Sequence, residues 1–160
     1  MERKDKINYY LDIADTVSRR STCIRRHYGA IIVRNDEIIS TGYNGAPRGR
    51  KNCIDLNICT REELKIPSGE RYELCRSVHA EANAIISAAR KDVLGGAIYL
   101  VGREHSNNSL LPDTTACAMC RRLIINAGIV KVITRTSDTN YNILQVRDWV
   151  YNDDTISGNL

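Results

Sequence analysis

No stretch of this 160-residue chain approaches the roughly 18 consecutive apolar residues of a membrane-spanning helix, so a membrane role is not expected. The N-terminus, MERKDKINYY, lacks the apolar core of a secretory signal, and the expected location is the cytoplasm. Internal repeats, low-complexity tracts and linkers are missing too, which points to one domain over residues 1–160, long enough to bury a real core. Excess charge of one sign is also scarce. A net charge of +4 suits an anionic small-molecule partner and is too weak to argue for nucleic acid. What remains, 42% hydrophobic and 26% charged residues, is ordinary for a globular protein. Six cysteines are not ordinary in a reducing compartment, where they point to metal binding or catalysis rather than disulfides.

Two stretches carry the chemistry. His79-Ala80-Glu81 opens the helical pattern HAEANAIISAAR, which runs to Arg90, and Cys117-Ala118-Met119-Cys120 opens a second apolar helical run, RRLIINAG. Imidazole and thiolate suit zinc. One His and two Cys leave a fourth coordination position open, as catalytic rather than structural zinc requires. Cys117 and Cys120, three apart, can face one ion, and a helix N-terminus favours their thiolate form. His79 and Glu81 are two apart, which in mid-helix would point them to different sides. In a first turn the long Glu81 side chain can still reach the open position without binding metal. Two thiolates neutralise the ion's charge, so its water is less acidic than in an all-His site. Such a site needs a carboxylate to accept the proton.

Around these motifs the sequence alternates helix and strand. Ile7, Tyr10, Leu11, Ala14 and Val17 mark an amphipathic helix over Asp5 to Arg20. Gly29 to Val33, an Asn35-Asp36 turn, and Glu37 to Thr41 read as a hairpin. Ala97 to Val101 and Val130 to Thr134 read as strands, and the Cys117 helix should stop near Gly128. Ile143 to Val150 fits a short helix or a strand, and a frayed tail is expected after about 151. Residues 43–78 form a loop too long for an ordinary connection, and 104–115 read as a polar surface excursion. The pattern is that of an α/β fold with helices packed on a central sheet.

H-x-E followed by C-x-x-C resembles the zinc-dependent cytidine/deoxycytidylate deaminase superfamily. The signature's proline before the first Cys is replaced by Ala116, which should loosen the turn without removing a ligand. Further resemblance lies in Arg20-Ser21-Thr22-Cys23, in Gly29 to Val33, and in Ser40-Thr41-Gly42-Tyr43-Asn44-Gly45-Ala46-Pro47, the last like the loop of deoxycytidylate (dCMP) deaminases. Pro67 to Tyr72, with Cys75 before the HAE motif, resembles the bacterial and phage branch. The resemblance implies a three-layer fold around a mixed five-stranded sheet with helices on both faces. It implies Zn²⁺ on His79, Cys117 and Cys120, with Glu81 moving a proton from water to N3 and to the departing ammonia, so that dCMP becomes dUMP for thymidylate synthesis. Backbone near Ala80 and Ala116 would contact the base. Asn44 and Gly45 would serve the sugar hydroxyl, an effector nucleotide with Mg²⁺, or both. Arg90 would lie near effector and subunit contacts in a dimer or hexamer regulated by dCTP and dTTP.

Plainer readings stand beside these. Residues 42–49 also read as a tight turn. Arg48, Arg50, Lys51, Arg71, Arg76 and Arg103 offer donors for a 5′-phosphate, or form a solvated face. His105 reads as solvent-exposed. Cys23, Cys53, Cys59 and Cys75 are either separate buried thiols or ligands of a second, structural zinc that clips the loop to the hairpin, with His27 as a substitute ligand. Some dCMP deaminases carry such a second site, with ligand sets that differ in part. Two rival functions remain: a tRNA adenosine deaminase, which calls for a more basic surface, and a non-catalytic zinc-binding interaction module, which gives Glu81 no task.

Overall fold

Asn35 and Asp36 both take positive φ, 51° and 63°, the backbone that a two-residue hairpin turn needs. They fold β1 (Arg26–Arg34) back on β2 (Glu37–Tyr43). The structure, a computed structural model, describes residues 1–152. The tail expected after about 151 lies almost wholly outside the described residues. β3 (Ala97–Glu104) pairs antiparallel with β1 and parallel with β4 (Lys131–Arg135), which pairs antiparallel with β5 (Tyr141–Gln145). The order β2-β1-β3-β4-β5 gives the mixed five-stranded sheet.

Alternation along the strands splits the core between the two faces. Ala30, Ile32, Ile98, Leu100 and Val132 face one side, and Ile31, Val33, Tyr99, Val101 and Ile133 the other. Because both faces are covered, these strands read as continuous apolar runs. Helix α1 (Lys6–Ser18), capped by the Asp5 carboxylate at 2.9 Å from the Asn8 N–H, packs Leu11 and Ala14 on the second face. Gly29 permits that approach: a Cβ there would lie 2.1 Å from the Ala14 carbonyl oxygen. The first face carries α4 (Ala80–Ile86), α5 (Arg90–Val93) and α6 (Ala118–Ala127). Helix α6 supplies the crossover that parallel β3 and β4 require, and it stops at Gly128 with φ 76°. Among the described residues no helix is long and apolar enough to cross a membrane.

The structure corrects the sequence reading in two places. The helix opened by His79 does not run to Arg90. It ends at Ile86, where Ser87 and Ala88 close the last turn onto the Asn83 and Ile85 carbonyls. Arg90 instead starts α5, and its Nε donates to the Asn126 carbonyl at 2.8 Å, so the helix end it serves is that of α6. Residues 143–150 are both a strand and a helix, with β5 passing directly into α7 (Val146–Tyr151). The stretch 104–115 is exposed over most of its length. Its backbone returns along β3 (Ser109 to Glu104, Leu111 to Gly102), and Thr114 ends up buried.

The loop 43–78 holds two short helices, α2 (Cys53–Leu56) and α3 (Thr60–Glu63), and a 3₁₀ turn at Tyr72–Leu74. Its ends are pinned together by paired backbone hydrogen bonds between Gly45 and Val78. A long loop therefore begins and ends beside His79.

Candidate active site

His79 is the N-cap of α4 and Cys117 the N-cap of α6, so two helix starts meet where the motifs lie. Helix α4 reaches its place by close contact with β2. A Cβ on Gly42 would lie 2.3 Å from the Ala80 carbonyl oxygen, and Ser40 Oγ donates to the Ala84 carbonyl at 2.7 Å. The missing proline before Cys117 is compensated: Arg121 Nε holds the Ala116 carbonyl at 3.0 Å, and Cys117 still caps the helix by accepting from the Cys120 N–H.

The ligand atoms converge. His79 Nδ1 stands 3.4 Å from both Cys117 Sγ and Cys120 Sγ, and the three atoms lie within 4.8 Å of one another. Zinc bonds of about 2.3 Å to sulfur and about 2.05 Å to nitrogen at tetrahedral angles give an S···N edge of about 3.5 Å. The residues present fit the ion. Their charges are matched as well. The Cys117 thiol is drawn down to about 4, first by its hydrogen bond with Cys120 and then by His79. That same hydrogen bond pushes Cys120 up. Burial opposes charge on His79, yet hydrogen bonding to Cys117 and Cys75 raises it to about 10. A divalent cation held by His79, Cys117 and Cys120 would take the place of these shared protons, since it needs thiolate and neutral imidazole.

Glu81 is buried beside the cluster, and that burial pushes its carboxyl up. It lines a cavity of about 110 Å³ together with His79, Cys117, Tyr28 and Asn44, well above the roughly 10–15 Å³ of cavity that one water needs. Asn44 is buried and nearly saturated. Its Oδ1 accepts from the Tyr28 N–H (2.8 Å) and Ser21 Oγ (2.6 Å), while Nδ2 donates to the Arg26 carbonyl (2.9 Å). One Nδ2 hydrogen remains to offer, so toward a ligand Asn44 is a donor only. Ala80 is fully buried in the first turn of α4, and Gly45 is occupied in the bridge to Val78.

The basic residues expected at a phosphate lie elsewhere. Arg103 is paired with Asp15 (2.7 Å), Arg71 with Glu73, Arg76 donates to the Lys51 carbonyl, and Arg48 lines a separate groove with Gly42 and Asn83. The arginines that line the cavity are Arg25, Arg26 and Arg61. Sequence reasoning passed over them because neither a flanking pair before a strand nor a single Arg in a loop carries a periodic signal. Tyr72 also lines the cavity, and its ring meets the His79 ring edge-on with centroids 5.1 Å apart.

All six cysteines are free. Cys23, Cys59 and Cys75 line the cavity and Cys53 is buried. Among the described residues, though, only His79, Cys117 and Cys120 form a group of ligand spacing. The second cluster is not assembled. Nor is His27 turned to it as a substitute ligand: its Nε2 lies 2.9 Å from the Cys23 carbonyl and 3.0 Å from Nδ1 of the exposed His105.

Residues 4–136 match the family described as the cytidine and deoxycytidylate deaminase zinc-binding region. The chain is 35% identical over 130 residues to the deoxycytidylate deaminase of Schizosaccharomyces pombe, covering 81% of this chain but 37% of that one. It is 36% identical over 138 residues to the deoxycytidylate deaminase of Mycobacterium phage D29, covering 83% of this chain and 96% of that one. The crystal structure of dCMP deaminase from cyanophage S-TIM5 in apo form aligns with a TM-score of 0.57 at 27% identity, over 83% of this chain and 85% of that one. The same phage enzyme in complex with dCMP and dUMP aligns at 0.56 and 25% identity, over 84% of each chain. Fold, ligand geometry and sequence agree, and the chain belongs to the cytidine and deoxycytidylate deaminase family.

Proposed function

We propose that this protein hydrolyses dCMP to dUMP and ammonia. The observation that carries the proposal is the convergence of His79, Cys117 and Cys120 beside a buried Glu81 in one cavity. Zinc on those three ligands supplies a Lewis acid that makes water nucleophilic near neutral pH. The remaining work falls to the chain. Glu81, kept dry, takes one proton of the attacking water and delivers it to N3, then takes the second from the new hydroxyl on C4 and delivers it to the amino group, which leaves as ammonia while C4 becomes a carbonyl. Asn44 offers its free hydrogen to a sugar hydroxyl, and the start of α4 at Ala80 and the backbone at Ala116 hold the base.

The proposal extends to a single cytoplasmic domain acting as a homo-oligomer, dimer or hexamer. The groove between Gly42, Arg48 and Asn83 would be the place for dCTP with Mg²⁺ or dTTP to regulate it. A second zinc on Cys23, Cys53, Cys59 and Cys75 is not part of the proposal, because among the described residues these thiols do not form a group of ligand spacing. One assay tests the core of the proposal: ammonia release from dCMP, deoxycytidine, dCTP and a tRNA anticodon stem, side by side. dCMP is expected to be turned over fastest, and a preference for the tRNA stem would replace this reading with the rival deaminase.

A further inference from the structure

Of the arginines that line the catalytic cavity, two already have carboxylate partners. Arg25 is paired with Glu62 at 2.8 Å and Arg26 with Glu104 at 3.3 Å. Arg61 is different. It is only 6% exposed, yet no carboxylate pairs with it among the described residues. Its Nε donates to the Glu70 carbonyl (3.2 Å), and its Nη2 donates to the carbonyls of Pro67 and Glu70 (2.8 Å each). The guanidinium lies over the Tyr72 ring, 4.4 Å from its centre. Nη1 has no hydrogen-bond partner among the described residues.

A buried charge is held at a cost that carbonyl dipoles and an aromatic face offset only in part. An anion is the partner that completes it, and the fork of a guanidinium suits a phosphate oxygen. The zinc ligands cannot be that anion, since two thiolates are balanced by the divalent ion. Glu81 lies on α4 beside the metal ligands, where its carboxyl is committed to the proton transfers of the reaction, and among the described residues no ion pair joins it to Arg61. Arg61, the cavity arginine without a carboxylate partner among the described residues, is therefore left for the substrate.

We infer that Arg61 reads the 5′-phosphate of the nucleotide, and that it sets the preference for a nucleotide over a nucleoside. This rests on the deaminase reading given above. The placement is rigid at both ends. Carbonyls of residues 67–70 fix one edge of the guanidinium, and Tyr72, which also touches the His79 ring, fixes its plane. A phosphate bound there thus ties the loop 59–75 to the metal ligand through one aromatic ring.

The experiment compares kcat/KM for dCMP and for deoxycytidine in the zinc-loaded wild type, Arg61→Gln and Arg61→Lys. The wild type should prefer dCMP. Arg61→Gln should lose roughly tenfold or more on dCMP, mostly through KM, with deoxycytidine turnover little changed. Arg61→Lys, which keeps the charge and loses the fork, should fall between. Equal losses on both substrates would assign Arg61 to loop support alone, and an unchanged preference would remove it from recognition. Either result overturns the inference. Absence of dCMP turnover in the wild type would instead sink the deaminase reading itself. A second measurement needs no variant: the ³¹P titration of dUMP bound to the wild type. The phosphate midpoint, roughly 6 when free, should be lowered by the buried guanidinium. A midpoint equal to that of free dUMP overturns the inference even if Arg61→Gln does not fold.

Discussion

Two sets of cysteines lie around the same cavity, and among the described residues only one of them reaches the spacing of metal ligands. Cys117 and Cys120 belong to the first turn of α6, where the helix fixes their spacing and a second helix start brings His79 to 3.4 Å from each sulfur. Cys23, Cys53, Cys59 and Cys75 come from four separate pieces of loop and short helix, and their sulfurs do not reach ligand spacing. The difference lies in what positions them. Regular structure packed on the sheet places a thiol to a fraction of an ångström, whereas a loop places it only in the right neighbourhood. Burial is common to both sets. Desolvation is the main cause that raises the Cys23 and Cys53 thiols.

Cys117→Ser should break the comparison at its strong end. It should release the zinc and reduce dCMP turnover to background, read as metal content by atomic absorption alongside ammonia release. Loss of activity with zinc retained would show that the ion sits elsewhere.

Much of the strong end was legible in the sequence. The His79 and Cys117 motifs, the Asn35-Asp36 turn and the Gly128 stop are local signals, each tied to the chemistry of one or two residues. The break at Ser87 was not legible, because HAEANAIISAAR continues an apolar helical pattern while its end is set by where the chain must turn to reach β3. Which basic residue faces the cavity was not legible for a related reason. Positive charge in sequence does not say which arginines are already paired, and Arg71 and Arg103 are. Whether Cys53, Cys59 and Cys75 meet Cys23 was likewise beyond reach, since it depends on how residues 46–77 fold between pinned ends.

Asn44→Ala sharpens the comparison at the seam between the two regions. The substitution strands the buried Tyr28 N–H and the Arg26 carbonyl at the start of β1, for a loss of about 1–3 kcal/mol in unfolding free energy. Chemical denaturation should detect it, with zinc still bound, and an unchanged midpoint would mean that the network is not maintained in solution.

The smallest effect belongs to Cys59→Ser. One zinc per chain is expected in the wild type. This variant should keep that zinc, change stability by no more than about 0.5 kcal/mol and retain most dCMP turnover. A wild-type count of two, with one ion lost in Cys59→Ser, would establish the loop clip instead.

The assignment of Glu81 is tested most directly by ammonia release from dCMP by Glu81→Gln protein whose zinc content has been measured. The expected result is a full zinc complement, an unchanged fold by circular dichroism and turnover reduced roughly 10²–10⁴-fold, because the ligands His79, Cys117 and Cys120 are untouched and only the proton carrier is gone. Wild-type-like turnover in that zinc-loaded variant would contradict the proposed chemistry.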